Sequence, residues 1–162
     1  MMPVKIGRMI QMGFSLIGFL IAISILAPNL LMIIFPPLNT PPELKDAGII
    51  FTVLERIGQI SCITLLIISK NYFENRPVNV WFILSALCII AYYGLWLRYV
   101  IAGKDFTLLF EFYFVPIPMA VLPILAFGFI AIWGKSVWLG SAVVIFAIGH
   151  IANSWNTYNL MK

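Results

Sequence analysis

Of the 162 residues in the chain, 62% are hydrophobic and only 10% charged, against roughly 25% charged in an ordinary soluble domain, so a water-soluble globule is excluded and lipid is the expected solvent. The formal net charge of +4 comes from scattered Lys and Arg rather than a run, which fits loop ends facing lipid headgroups and argues against a nucleic-acid partner. At about 20 apolar residues per span there is room for five helices and no separate soluble domain, so the expected class is an all-α integral membrane helical bundle.

The apolar runs divide residues 1–162 into helices at about 9–35, 41–69, 78–100, 116–133 and 137–155, with an interfacial segment at about 106–115. Lys5 and Arg8 precede an apolar stretch like that of a signal peptide, but apolar character resumes past Pro28, from Leu30 to Phe35, so the first helix reads as a retained anchor. Pro28 should kink or end it, with Asn29 at hand for a freed backbone group. The Pro-rich loop that follows ends in Thr40-Pro41-Pro42-Glu43, a capping arrangement that starts the second helix near Pro41, or near Ile49 if Gly48 interrupts it.

Inside that second helix stand Thr52, Glu55, Arg56 and Gln59, which share a face by their i, i+3, i+4 and i+7 spacing. Charges within a span cost roughly 2.5 to 3.5 kcal/mol each on insertion scales, so this stripe should point inward. Pro77 opens the third helix, whose stripe Ser85, Cys88, Tyr92, Trp96, Tyr99 ends beside Arg98 and reads first as an aromatic interface belt with a snorkelling arginine. Pro116 makes a natural first residue for the fourth helix, with Glu111 in the interfacial segment before it and Pro123 bending it to open space alongside. Gly134-Lys135-Ser136 is a tight hairpin, and the fifth helix closes on a polar face of His150, Asn153, Ser154 and Thr157. Cys62 and Cys88 lie within apolar segments and read as free thiols.

Five alternating spans bring the start of the second helix, the end of the third, the start of the fourth and the end of the fifth to one side. The expected ligand-binding residues, Glu55, Arg56, Gln59, Trp96, Arg98, Tyr99, Glu111, His150 and Asn153, all fall there. Lys5, Arg8, Lys70, Arg76 and Lys135 flank one face, against Lys45, Arg98, Lys104 and Lys162 on the other. That one-residue bias sets the amino terminus in the cytoplasm and the polar end outside, and the expected location is the cytoplasmic membrane. Convergent polar groups within apolar walls suit a small or amphiphilic ligand, which Arg56 and Arg98 would meet at an anionic or carbonyl group. Two alternatives stand beside this. The polar residues hold helices together in a homo-oligomer or a partner's accessory subunit, or Glu55 and His150 serve a membrane-embedded enzyme as acid and base. There is one His and no HExxH, Cys-rich or phosphate-loop motif, so no catalytic residue, metal or cofactor is assigned.

The segments FTVLERIGQI, VPIPMAVLPILAF and GHIANSWNTY resemble those of small, uncharacterised five-helix membrane proteins of bacteria. The resemblance implies a topology and carries no residue roles. Tryptophan-rich sensory (translocator) proteins are similar in length and number of helices, but their Trp-x-Pro-Pro pattern is only echoed in Phe35-Pro36-Pro37 and Thr40-Pro41-Pro42, so their ligands are not carried over.

Overall fold

The structure, a computed structural model, describes residues 13–41, 44, 46–113 and 115–162. The flanking Lys5 and Arg8, the start of the first helix near Met9, and the caps at Pro42 and Glu43 lie outside the described residues, as does Lys45. The described residues are 75% helical with almost no strand, which makes them an all-α bundle. Among the described residues four stretches are long and apolar enough to cross a membrane: 16–34, 49–68, 80–101 and 137–160.

The first stretch is not one helix. α1 runs Leu16–Leu26, a 3-10 turn occupies Ala27–Leu30 around Pro28, and α2 is the single turn Leu31–Ile34. Pro28 has no N–H to donate, and the tighter turn absorbs the missing bond. Ser15 caps α1, its hydroxyl accepting from the Gly18 N–H at 3.0 Å.

α3 spans Ile49–Ile68, so the helix begins at Ile49 and not at Pro41. Gly48 breaks the path with a φ of +132°, and the Ala47 N–H donates to Asn153 Oδ1 at 3.0 Å in place of a helical carbonyl. A one-turn α4, Lys70–Phe73, follows. α5, Val80–Ile101, starts on Asn79, whose side chain accepts from the Trp81 and Phe82 amides.

The stretch expected to lie at the interface is a 3-10 turn, Phe106–Leu109, and a two-residue hairpin, β1 Glu111–Phe112 against β2 Val115–Pro116. Pro116 is therefore in a strand. Ile117 turns left-handed, its N–H donating to the Phe110 carbonyl at 2.7 Å, and Pro118 is the first residue of α6, Pro118–Gly134. Lys135, also left-handed, ends α6, and Ser136 caps α7, Val137–Leu160, which outlasts the expected end at residue 155 by more than a turn. Within this polar tail Thr157 bonds its hydroxyl back to the Asn153 carbonyl at 3.1 Å, four residues earlier on the helix.

α3 and α7 make the most extensive helix pair, followed by α5 with α6 and α6 with α7, while α1 lies on α3. Gly58 and Gly149 permit the close approach of α3 and α7. A Cβ on Gly58 would fall 2.3 Å from the Phe146 nitrogen, and one on Gly149 2.3 Å from the Glu55 nitrogen. Small residues at a crossing let two backbones meet, and this crossing sets which way Glu55 faces. Large apolar side chains stay outward on every long helix, among them Ile23, Ile60, Ile90 and Val144, an exterior consistent with a membrane protein.

Candidate functional site

At the α3–α7 crossing Glu55 meets two residues of α7. His150 Nδ1 lies 2.7 Å from Glu55 Oε1, and Asn153 Nδ2 donates to Oε2 at 2.6 Å. Both oxygens of the carboxylate are thus engaged, and the side chains of Glu55 and His150 are only 20% and 25% exposed. A carboxylate on Nδ1 requires the proton there, which leaves Nε2 of a neutral imidazole as an acceptor. The ring also stacks on Phe146 at 4.9 Å between centroids. Asn153 completes the unit by holding the Ala47 amide with its oxygen.

Beside this unit is a cavity of about 180 Å³. Its polar lining comes from Asn29 after α1, Gln59 of α3, Tyr92 and Trp96 of α5, and His150 and Ser154 of α7. Ile25, Phe127, Phe146, Met119 and Pro123 supply apolar walls, with Leu109, Phe110 and Ile117 from the segment between α5 and α6. The Tyr92 hydroxyl donates to Asn29 Oδ1. Trp96 is 4% exposed, and its indole N–H faces the Tyr92 hydroxyl but meets no acceptor at full hydrogen-bond geometry among the described residues. A buried donor left unpaired costs about 1 to 3 kcal/mol, so an acceptor that reached it would recover that energy.

The residues expected to converge divide into three groups. Glu55, His150 and Asn153 bond to one another, while Gln59, Trp96 and His150 face the cavity. The remaining residues are elsewhere. Arg98 donates to the Glu111 carbonyl at 2.9 Å with its guanidinium 5.1 Å from the Phe112 ring centre. Tyr99 is wholly buried and gives its hydroxyl to the Phe35 carbonyl at 2.8 Å, closing α5 on the end of α2. Arg56 is exposed, although its spacing put it on the face of Glu55. The reason is rotational: α3 turns Gly58, Cys62 and Leu66 into the bundle, and Arg56 lies away from that row. Trp96, read as part of an interface belt, is instead a cavity wall.

Asn29, Tyr92 and Ser154 are cavity residues that the sequence reading left out of the site. Asn29 beside a helix-breaking proline and Tyr92 one turn before Trp96 were the available signals. Among the described residues no three His, Cys, Asp or Glu side chains gather as a metal would require. Cys62 and Cys88 are free thiols. Compared with protein-family models, curated proteins and solved structures, the chain finds no match in any of the three.

Proposed function

We propose that this chain is a five-span protein of a bacterial cytoplasmic membrane, amino terminus inside, that binds a small neutral ligand in the cavity between α1, α5, α6 and α7. The fifth span in this reading is α6. Its 17 residues rise about 25 Å, short of a hydrocarbon core of roughly 30 Å, and the hairpin and Ile117 ahead of it make up the remaining depth.

The unpartnered indole N–H of Trp96 carries the proposal. A cavity of about 150 Å³ accepts benzene when its walls are apolar, so 180 Å³ suits a ligand of one ring. The walls add Gln59, His150 and Ser154 as further hydrogen-bonding groups. Their placement around an apolar floor of Phe127 and Phe146 is the usual composition of a small-molecule site. Arg56 and Arg98 take no part in binding in this reading, because neither lines the cavity.

Thermal shift with methyl 4-hydroxybenzoate, a neutral single-ring probe with acceptor oxygens, tests this in lipid nanodiscs. Saturable stabilisation of the wild type, reduced about tenfold in apparent affinity in Trp96→Phe, is expected, since one hydrogen bond to a buried donor amounts to about 1.4 kcal/mol. Equal shifts in both proteins would refute it.

The bonds of Glu55 favour a second reading for that residue. With both oxygens taken by α7, it serves as an interhelical tie that orients His150. Such ties are worth about 0.6 kcal/mol on average in membrane proteins.

A further inference from the structure

The space between α1 and α5 does not stop at the cavity. A groove of about 370 Å³ continues along the bundle, lined by Ile17 and Leu20 of α1, Phe82 and Ala86 of α5, and Ile130 of α6. The registers of groove and cavity follow directly on all three helices. Ile21 in the groove is one turn before Ile25 in the cavity, Ile89 three residues before Tyr92, and Ile130 three residues after Phe127. Positions three or four apart stand above one another on a helix, so the two spaces occupy successive turns of the same three faces.

The chemistry changes along that line. Two serines border the groove, and both hydroxyls are spent on backbone: Ser24 on the Leu20 carbonyl at 2.8 Å and Ser85 on the Ala126 carbonyl at 3.0 Å. The groove therefore offers no free donor and is otherwise hydrocarbon. The cavity offers Trp96, Gln59 and His150, but no Lys, Arg, Asp or Glu among its lining residues. Any charge on His150 is balanced by Glu55 at 2.7 Å.

We propose that cavity and groove are one site for an amphiphile with a neutral, ring-sized head that accepts a hydrogen bond from Trp96 and a single hydrocarbon tail lying between α1 and α5. This rests on the reading of the cavity as a ligand site. From Phe82 to Tyr92 the helix rises about 15 Å, the extended length of a chain on the order of ten carbons. The tail reaches the bilayer along its whole length, so the ligand is drawn from the membrane and not from water. An anionic amphiphile of the same length fits poorly, because its head would be desolvated with no cation to meet.

The experiment uses the full chain in nanodiscs and dodecyl 4-hydroxybenzoate bearing a photoreactive diazirine on the tail. Light should label Ile17, Leu20, Phe82 and Ala86 saturably. Excess methyl 4-hydroxybenzoate, which has the head alone, should remove that labelling, and Trp96→Phe should need about tenfold more probe for the same extent. Photoreactive dodecanoate should label outward apolar residues evenly and without saturation. If the methyl ester binds in a Trp96-dependent way while the tail labels no groove residue saturably, the tail assignment fails and the head site stands. If dodecanoate labels the groove as well as the ester does, the groove is a general lipid contact and the proposal falls. Absence of any methyl ester binding would remove the cavity reading, and this inference with it.

Discussion

At one end of the bundle Ser15, Glu74 and Arg76 are bound to their neighbours, whereas at the other the Trp96 indole N–H meets no acceptor at full hydrogen-bond geometry among the described residues. Glu74 accepts from the Ser15 hydroxyl at 3.0 Å, Arg76 reaches the Trp133 carbonyl at 3.2 Å, and the Trp133 indole donates to the Pro77 carbonyl at 3.0 Å. Even the carbonyls of Ile67 and Ile68, which the end of α3 leaves free, accept from the Ser15 and Gly13 amides at 2.7 and 2.9 Å. The contrast between Trp133 and Trp96 is the instructive one. Both indoles are almost fully buried, 3% and 4% exposed, yet only Trp133 finds a carbonyl within reach. The difference between the two indoles is what the proposed ligand site rests on.

The strongest way to break this comparison is through the glycines at each end. Gly18→Ala sets a Cβ 1.9 Å from the Leu66 carbonyl oxygen, and Gly149→Ala sets one 2.3 Å from the Glu55 nitrogen and 2.5 Å from the Phe51 oxygen. Backbone atoms cannot swing aside as a side chain can, so each substitution should cost about 1 to 3 kcal/mol or more in reversible unfolding from mixed micelles. The two should part in binding. Gly149→Ala displaces His150 and should also weaken the ring-sized probe, while Gly18→Ala should leave its affinity unchanged. Gly128→Ala and Gly140→Ala, where a Cβ meets nothing within 4 Å, should instead stabilise by about 0.5 to 1 kcal/mol.

Smaller effects separate a tie from a cap. Glu55→Ala strands the His150 and Asn153 donors and should cost about 1 to 3 kcal/mol, with Glu55→Gln recovering part of the loss. Ser15→Ala removes the α1 cap and should cost about 1 kcal/mol with no change in probe binding. Costs for Glu55→Ala and Glu55→Gln that are both near zero would mean that the carboxylate's bonds to α7 contribute little.

Helical spacing made it legible that Glu55, His150 and Asn153 lie at one end of the bundle, because alternating spans fix which ends share a side, but it did not say that Glu55 would bond these two and not Arg98. The same spacing placed Arg56 with them, and it is exposed. Spacing defines a face without saying how the helix is rotated about its axis, and here the glycine contacts of α3 decide the rotation. Trp96 could be read as aromatic and near a helix end, but whether an indole finds a carbonyl depends on packing between distant segments. The roof of the cavity was hidden for another reason. Phe106 to Ile117 folds through a 3-10 turn, two-residue strands and a left-handed isoleucine, none of which has a periodicity to detect. Pro123 was the clearest sequence mark of the cavity, expected to open space beside its helix and found in the lining.

The least of the expected effects lies just before that roof, at Asp105, which caps the 3-10 turn. Its Oδ1 accepts from Asn39 Nδ2 at 2.9 Å, from the Thr107 amide at 2.9 Å and from the Thr107 hydroxyl at 2.8 Å, while Asn39 holds the Phe106 amide at 2.7 Å. These donors, Asn39 foremost, hold the Asp105 carboxyl below its ordinary value. A carboxyl lowered in the folded state contributes stability that is complete above its unfolded pKa of about 3.9 and is lost as pH falls through the lower folded value. The group is close to solvent, so the contribution should stay below about 0.5 kcal/mol. Asp105→Asn should therefore lower the Tm slightly at about pH 5 and above, and the gap to the wild type should close as pH is taken down past about 4. A gap that stayed constant through that range would show that Asp105 acts through its shape as a cap and not through its charge, and the clasp between the Pro-rich loop and the roof would then be indifferent to acid.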